Sequence, residues 1–270
     1  MNIAAYGSRS QWECKMNGIF FNIEHGITGV RGFLSDVVKS ASLWILELMV
    51  AGLVMVMVAG CTEQRPGEEN GSIIKAGTVE ISQADFAREL EVKLANYAYD
   101  ITNRPDEYNA MILDLVSDLS DEAVLLAAAA DKGIDVSADE LEAAVDEFKQ
   151  DYPEDSFDRM LLERAISYPV WKKGLKKDMV IQKLIMEDLV ASQQIHPEDM
   201  IAFYDRLAGQ NTSQDDDNST MLDENDLVLK LRIEKSQAAF GQWMQGLQTI
   251  YPVHIDKLML STFLMDTEKK

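Results

Sequence analysis

From Phe86 onward, apolar residues recur every three or four positions, the spacing of helices with one buried face. Phe86, Leu90, Leu94, Tyr97 and Ile101 share a face of a first helix, which Ser82 can cap with Asp85 at its third position. Asn103-Arg104-Pro105 interrupts the pattern. A long helix is expected from about Asp106 to Lys132; its later part, AVLLAAAA, is apolar all round, as suits a buried central helix, and Gly133 ends it. Ser137 opens the next helix through a capping box with Glu140, and Leu141, Val145, Phe148 and Tyr152 form its stripe before Pro153. A short helix around Ser156 to Ile166 carries Phe157, Met160 and Leu161. Pro169 and Pro197 each sit where a first turn loses nothing by lacking an N–H. The helix from Pro169 runs to about Leu189 with Trp171, Leu175, Met179, Leu184 and Ile185 inward; the one from Pro197 carries Ile201, Tyr204 and Leu207. A last helix, about Asp226 to Gln248, includes Phe240, Trp243, Met244 and Leu247.

The period changes to two at either end. Val79 and Ile81 alternate with Thr78 and Glu80 in Ile73–Ile81, and Val253 and Ile255 alternate with His254 and Asp256 in Tyr251–Leu260. A lone strand does not persist in water, so the two are expected to pair and tie the domain end to end. The fold class is mainly α, a multi-helix core with paired terminal strands. There is no internal repeat and no heptad run long enough for a coiled coil.

A different pattern precedes these elements. Leu48 to Ala59 is free of charge, and polar, acidic and turn-forming residues follow Gly60 and Cys61. A spanning helix needs roughly 20 apolar residues, whereas a signal-peptide core is shorter. Glu47 interrupts the longer window Ala41–Gly60, and a carboxylate there is costly in hydrocarbon. Arg31 and Lys39 supply positive charge upstream, and the small residues Ala59 and Gly60 suit a signal peptidase. Val58-Ala59-Gly60-Cys61 resembles the lipobox of bacterial lipoproteins, which implies peptidase recognition at Val58, Ala59 and Gly60 and lipid attachment at Cys61. An uncleaved anchor or a chance cysteine are the alternatives. The residues from Met1 to about Val30 show no periodicity. Thr62, which is not an aspartate, favours the outer over the inner membrane by resemblance to enterobacterial sorting. The expected organisation is a lead and signal over 1–60, a tether over 61–72, a helical domain over 73–260 and a tail over 261–270.

Charge narrows the function classes. The chain has 270 residues and a net charge of −21. Residues 61–270 hold 42 acids against 21 bases, because the first sixty residues are balanced. Such a domain repels itself into solution and is unsuited to nucleic acid, which demands clustered Lys and Arg. The two cysteines, Cys14 and Cys61, flank the hydrophobic segment, so nothing after Cys61 can form a disulfide or a thiolate cluster.

Candidate chemistry is sparse. Asp215 and Asp217 of the acidic loop 209–225, with Asp226 just after it, invite a calcium reading, but an EF-hand counted from Asp215 would put Thr220 where glycine belongs and Asp226 where glutamate belongs. His196 reads as a helix-start residue and His254 as a residue on a polar strand face. No serine has a base partner among so few histidines, and no glycine-rich phosphate loop is present. No cofactor and no metal is expected. Lys172, Lys173, Lys176 and Lys177 form the one basic patch, expected to pair with nearby acids, with lipid headgroups as the alternative.

Several stretches taken together resemble the chaperone core of SurA-type periplasmic folding factors, shared with PrsA- and PpiD-like proteins. They are ILDLVSDLSDEAVLLAAAADKGIDV (Ile112–Val136) running into Ser137–Leu141, the helix pair of Tyr152–Arg164, WKKGLKKDMVIQKLI (Trp171–Ile185), and FGQWMQGL with VHIDKL near the end. The resemblance covers about residues 73–260. In that family parvulin-type isomerase domains of roughly a hundred residues usually precede the terminal helix; here the acidic loop takes their place. The resemblance therefore implies a chaperone without catalysis, whose partners are unfolded or nascent envelope proteins. A scaffold docking one folded partner, such as a separate isomerase, is the alternative. Trp171, Phe203, Tyr204, Trp243 and Met244 are the residues that could line an apolar crevice for clients, with ordinary core as the competing reading; the 14 methionines suit either.

Overall fold

The structure, a computed structural model, describes residues 71–95, 97, 100–150, 152–153, 156–164, 166–210 and 224–267. The lead, the hydrophobic segment, Val58, Ala59, Gly60, Cys61, most of the tether and residues 211–223 of the acidic loop lie outside them. Among the described residues no helix is long and apolar enough to cross a membrane.

The fold is mainly helical around a small antiparallel sheet. In chain order the elements are β1 (Ser72–Ala76), β2 (Val79–Ser82), α1 (Gln83–Leu94), a 3-10 turn (Ile101–Asn103), α2 (Pro105–Asp131), α3 (Ala138–Gln150), α4 (Ser156–Glu163), α5 (Tyr168–Leu184), a π turn (Ile185–Val190), α6 (Pro197–Gln210), α7 (Glu224–Ile250), β3 (Val253–Ile255) and α8 (Lys257–Ser261).

The expected pairing of the chain ends is present: β1 aligns antiparallel with β3, Ile74 opposite Ile255 and Ala76 opposite Val253. The segment expected as one strand, Ile73–Ile81, is instead a hairpin. β1 turns at Gly77-Thr78 and returns as β2, so the sheet order is β2-β1-β3. Gly77 has φ +54°, and a Cβ there would lie 3.2 Å from Ala127 Cβ and 3.3 Å from a Tyr251 ring carbon. Both the left-handed backbone and the close approach of α2 require glycine. The second expected strand is also shorter. Asp256 accepts hydrogen bonds from Leu258 N and Met259 N and starts α8, so the strand ends at Ile255.

α2 is the central helix, as its apolar run implies. Met111, Ile112, Ala123, Val124, Leu125, Ala128 and Ala129 are essentially inaccessible, and Ile73, Ile74, Ile181, Leu184 and Ile185 close over them. The alanines near its C-terminus leave room for the sheet. α2 ends in a Schellman turn: Gly133 has φ +69°, Ile134 N donates to Ala129 O at 2.9 Å and Gly133 N to Ala130 O at 3.1 Å. Ser82 accepts from Asp85 N at 3.1 Å, and Ser137 and Glu140 close their capping box at 2.8 and 3.2 Å. Packing continues past Leu260: the Phe263 ring packs tilted at 59° against Phe86 with centroids 4.9 Å apart, and Asn109 both accepts from and donates to the Met265 backbone at 2.8 Å.

Candidate binding surfaces

α5 does not stop where an α-helix would. It widens into a π turn over Ile185–Val190, closed by Ala191 N donating to Met186 O at 2.9 Å. The extra residue per turn turns Leu189 and Val190 into the core and aims Asp188 sideways, between the end of α2 and α7. Asp188 then uses both oxygens: Oδ1 accepts from Lys132 Nζ at 2.7 Å and Oδ2 from Trp243 Nε1 at 2.8 Å. Burial opposes ionisation of Asp188, but these two donors and the Lys132 charge outweigh it and hold the carboxyl below its ordinary range. Nearby, Tyr251 donates its hydroxyl to Asp131 Oδ2 at 2.8 Å, which pushes the phenol above its usual value. The result is an open concavity of about 660 Å³ between the π turn and α7, with Trp243, Leu247 and Ile250 on its apolar side and Lys132, Asp188 and Gln193 on its polar side. Ile250 is 65% exposed there.

A second surface surrounds Trp171. Phe148 from α3, Tyr152 just beyond its end, Phe157 from α4, and Tyr168 and Trp171 from α5 form a continuous ring cluster with centroids 4.9 to 6.4 Å apart. Lys149 lies over Tyr168 at 4.9 Å and Phe157 at 5.3 Å, a favourable cation–π placement. Phe157 is buried, the other four rings are partly exposed, and Leu162 on α4 is 79% exposed. Phe157, like Val145 and Leu161, is buried yet lies outside the main core cluster.

A third surface lies on α6, where Ile201 and Tyr204 face solvent at successive turns. α6 is held to α7 largely by charge: Arg206 makes a forked pair with Glu234 at 2.6 and 2.9 Å, and Lys235 reaches Asp199 at 2.5 Å.

The five expected client residues are therefore not gathered into one crevice. Trp171 is in the aromatic satellite, Phe203 and Tyr204 are on α6, and Trp243 lines the α7 concavity. Met244, its neighbour in sequence, lies about a quarter turn further round the helix and is 7% exposed in the main core. The basic patch pairs with acids as expected: Lys172 with Glu142, Lys176 with Asp135 at 2.9 Å, and Lys177 with Glu122 at 2.6 Å. His196 opens α6, its N–H bonded to Asp199 Oδ2, and His254 is exposed on β3. Of the acids in the calcium reading, Asp215 and Asp217 fall outside the described residues and Asp226 is within α7. Asp188, Tyr251 and the π turn had no local signal, because each gains its meaning from a partner more than fifty residues away.

A family model described as "SurA-like N-terminal domain" matches residues 33–185, more than half of the chain. No curated protein matches it.

Proposed function

Since this chain belongs to the family of SurA-like N-terminal domains, we propose that it is a lipid-anchored envelope chaperone that holds unfolded secreted or outer-membrane proteins without ATP. A SurA-like N-terminal domain is a chaperone module with a periplasmic type of role, and it is not catalytic. The observation that carries the finer reading is the spread of accessible apolar groups over three partly polar surfaces: the α7 concavity, the aromatic satellite and α6. Dispersed sites of this kind suit an extended client better than one compact ligand, and the strong negative charge keeps such complexes in solution. The absence of isomerase activity is supported by the link from Gln210 to Glu224, which is far shorter than a parvulin domain. Lipid on Cys61 and an outer-membrane location rest on the lipobox resemblance and on Thr62. In this reading residues 1–60 are removed, 61–72 are the tether and the helical domain does the binding.

The test is suppression of aggregation of an urea-diluted outer-membrane protein by the full chain, with no nucleotide present. Suppression that rises with chaperone concentration is expected. No suppression at several-fold excess overturns the holdase reading, and co-purification of one folded partner at fixed stoichiometry would replace it with a scaffold. A mass spectrum of the mature N-terminus should show an acylated cysteine at position 61; an unlipidated chain beginning at Met1 removes the anchor.

A further inference from the structure

We infer that the outer edge of β2 is a strand-addition site, at which an extended segment of a client pairs with the sheet. This rests on the chaperone reading above and specifies how one part of a client is held.

β2 is an outer strand of the sheet, and the hydrogen-bond alternation fixes which of its groups face out. Asp256 N donates to Ile73 O at 3.0 Å, so Ile73 and Lys75 bond toward β3 while Ile74 and Ala76 bond toward β2. Val79 and Ile81 therefore face β1, and the N–H and C=O of Glu80 point away from the sheet. Beside that edge lies a groove of about 210 Å³, formed by Val79 and Ile81 of β2, Leu119 and Ala123 of α2, and Val170 and Gly174 of α5. The volume is below that of sites for small organic ligands but accommodates small side chains. Gly174 keeps the far wall open: a Cβ built there meets nothing within 4 Å. Both edge strands are short, β2 with four residues leading directly into α1 and β3 with three leading through Asp256 into α8; what marks β2 is the groove beside it.

A backbone edge beside an apolar slot selects extended polypeptide, because main-chain pairing supplies affinity and alternate side chains fill the slot. Charge selects further. The groove lining itself is mixed, Glu80, Asp85, Glu89 and Glu122 against Arg88, Lys173 and Lys177, so it is the net charge of −21 over the whole chain that favours a segment with basic flanks around small apolar residues at alternate positions.

The full chain is titrated with a short labelled peptide of alternating valine and threonine flanked by lysines, and amide exchange is followed in parallel. Saturable binding is expected, with exchange at Glu80 slowed about tenfold or more in the complex and weaker binding when the flanks are acidic. Glu80→Pro removes the outward N–H, and Gly174→Leu fills the groove; each is expected to weaken the peptide about tenfold or more without shifting the unfolding midpoint. Should Glu80→Pro unfold, Gly174→Leu and the wild-type exchange measurement decide alone. Equal binding by both variants, or binding with no protection at Glu80, overturns the inference. So does aggregation suppression without peptide binding, which leaves the chaperone reading standing; loss of both removes the two together. A concentration-dependent dimer that Glu80→Pro dissolves would assign the edge to a second copy of this chain.

Discussion

Trp243 and Asp188 lock α7 to the π turn: the indole N–H donates to one carboxylate oxygen at 2.8 Å while Lys132 holds the other at 2.7 Å. Three elements distant in sequence thus meet on one side chain. Trp243→Phe keeps most of the ring and removes the donor. The expected cost is about 1–2 kcal/mol, read from thermal or denaturant unfolding. The Asp188 carboxyl should titrate closer to its ordinary value in that variant. Because its pKa is depressed in the folded state, Asp188 stabilises at neutral pH, and that contribution is lost as pH falls through the folded value. An unchanged acid limb in Trp243→Phe would contradict this.

Asp121 has the opposite sign. Burial at the α2–α7 contact, set against one hydrogen bond from Gln248 at 2.9 Å and joined by repulsion from Asp118, pushes its carboxyl up to about 6. A raised carboxyl pKa means ionisation weakens the fold, so stability attributable to Asp121 declines between about pH 4 and 6 and stays lower above. Asp121→Asn retains the acceptor for Gln248. After allowance for its partial exposure, it should stabilise by about 1 kcal/mol at pH 7.5 and by little at pH 4. Thermal melts at the two pH values check it.

Gly77 and Gly133 both have positive φ, but their surroundings differ. Gly133→Ala meets nothing within 4 Å and should cost only the backbone strain, about 1 kcal/mol. Gly77→Ala adds a Cβ against Ala127 and Tyr251 and should cost about 2 kcal/mol or more. Equal losses in the two variants would mean that the hairpin turn does not press on α2 as described.

Ending the chain at Tyr251 removes β3 and α8. It turns β1 into an edge, takes Phe263 from Phe86 and leaves Asn109 without either bond to Met265. The loss should approach the whole stability of a marginal domain, and circular dichroism should show a broad, non-cooperative melt. A sharp transition near the parent midpoint would show that the terminal clasp is dispensable.

Much of the helical layout was legible because its signals are local. The capping box Ser137/Glu140, the prolines in the first turns of α5 and α6, and the all-apolar end of α2 act within a few residues of themselves, whereas Pro105, expected only as an interruption, is the first residue of α2. The strand boundaries were not. In Ile73–Ile81 the alternation of Val79 and Ile81 hid a two-residue turn, although Gly77 was its visible mark. Near the C-terminus Asp256 could equally have continued a strand or capped a helix, and contact with the core favoured the cap.

What the sequence by itself determined is the identity and order of helices α1 to α7, the pairing of the chain ends and the acidic character of the domain, since periodicity, caps and charge are properties of neighbouring residues. Only the tertiary structure decided which apolar residues remain accessible. Trp243 and Met244 are adjacent and similarly apolar, yet one lines a concavity and the other fills the core, because a helix turns about 100° per residue and only packing sets where that rotation begins. The same packing opened α5 into a π turn and aimed Asp188 at two partners that no local pattern could name.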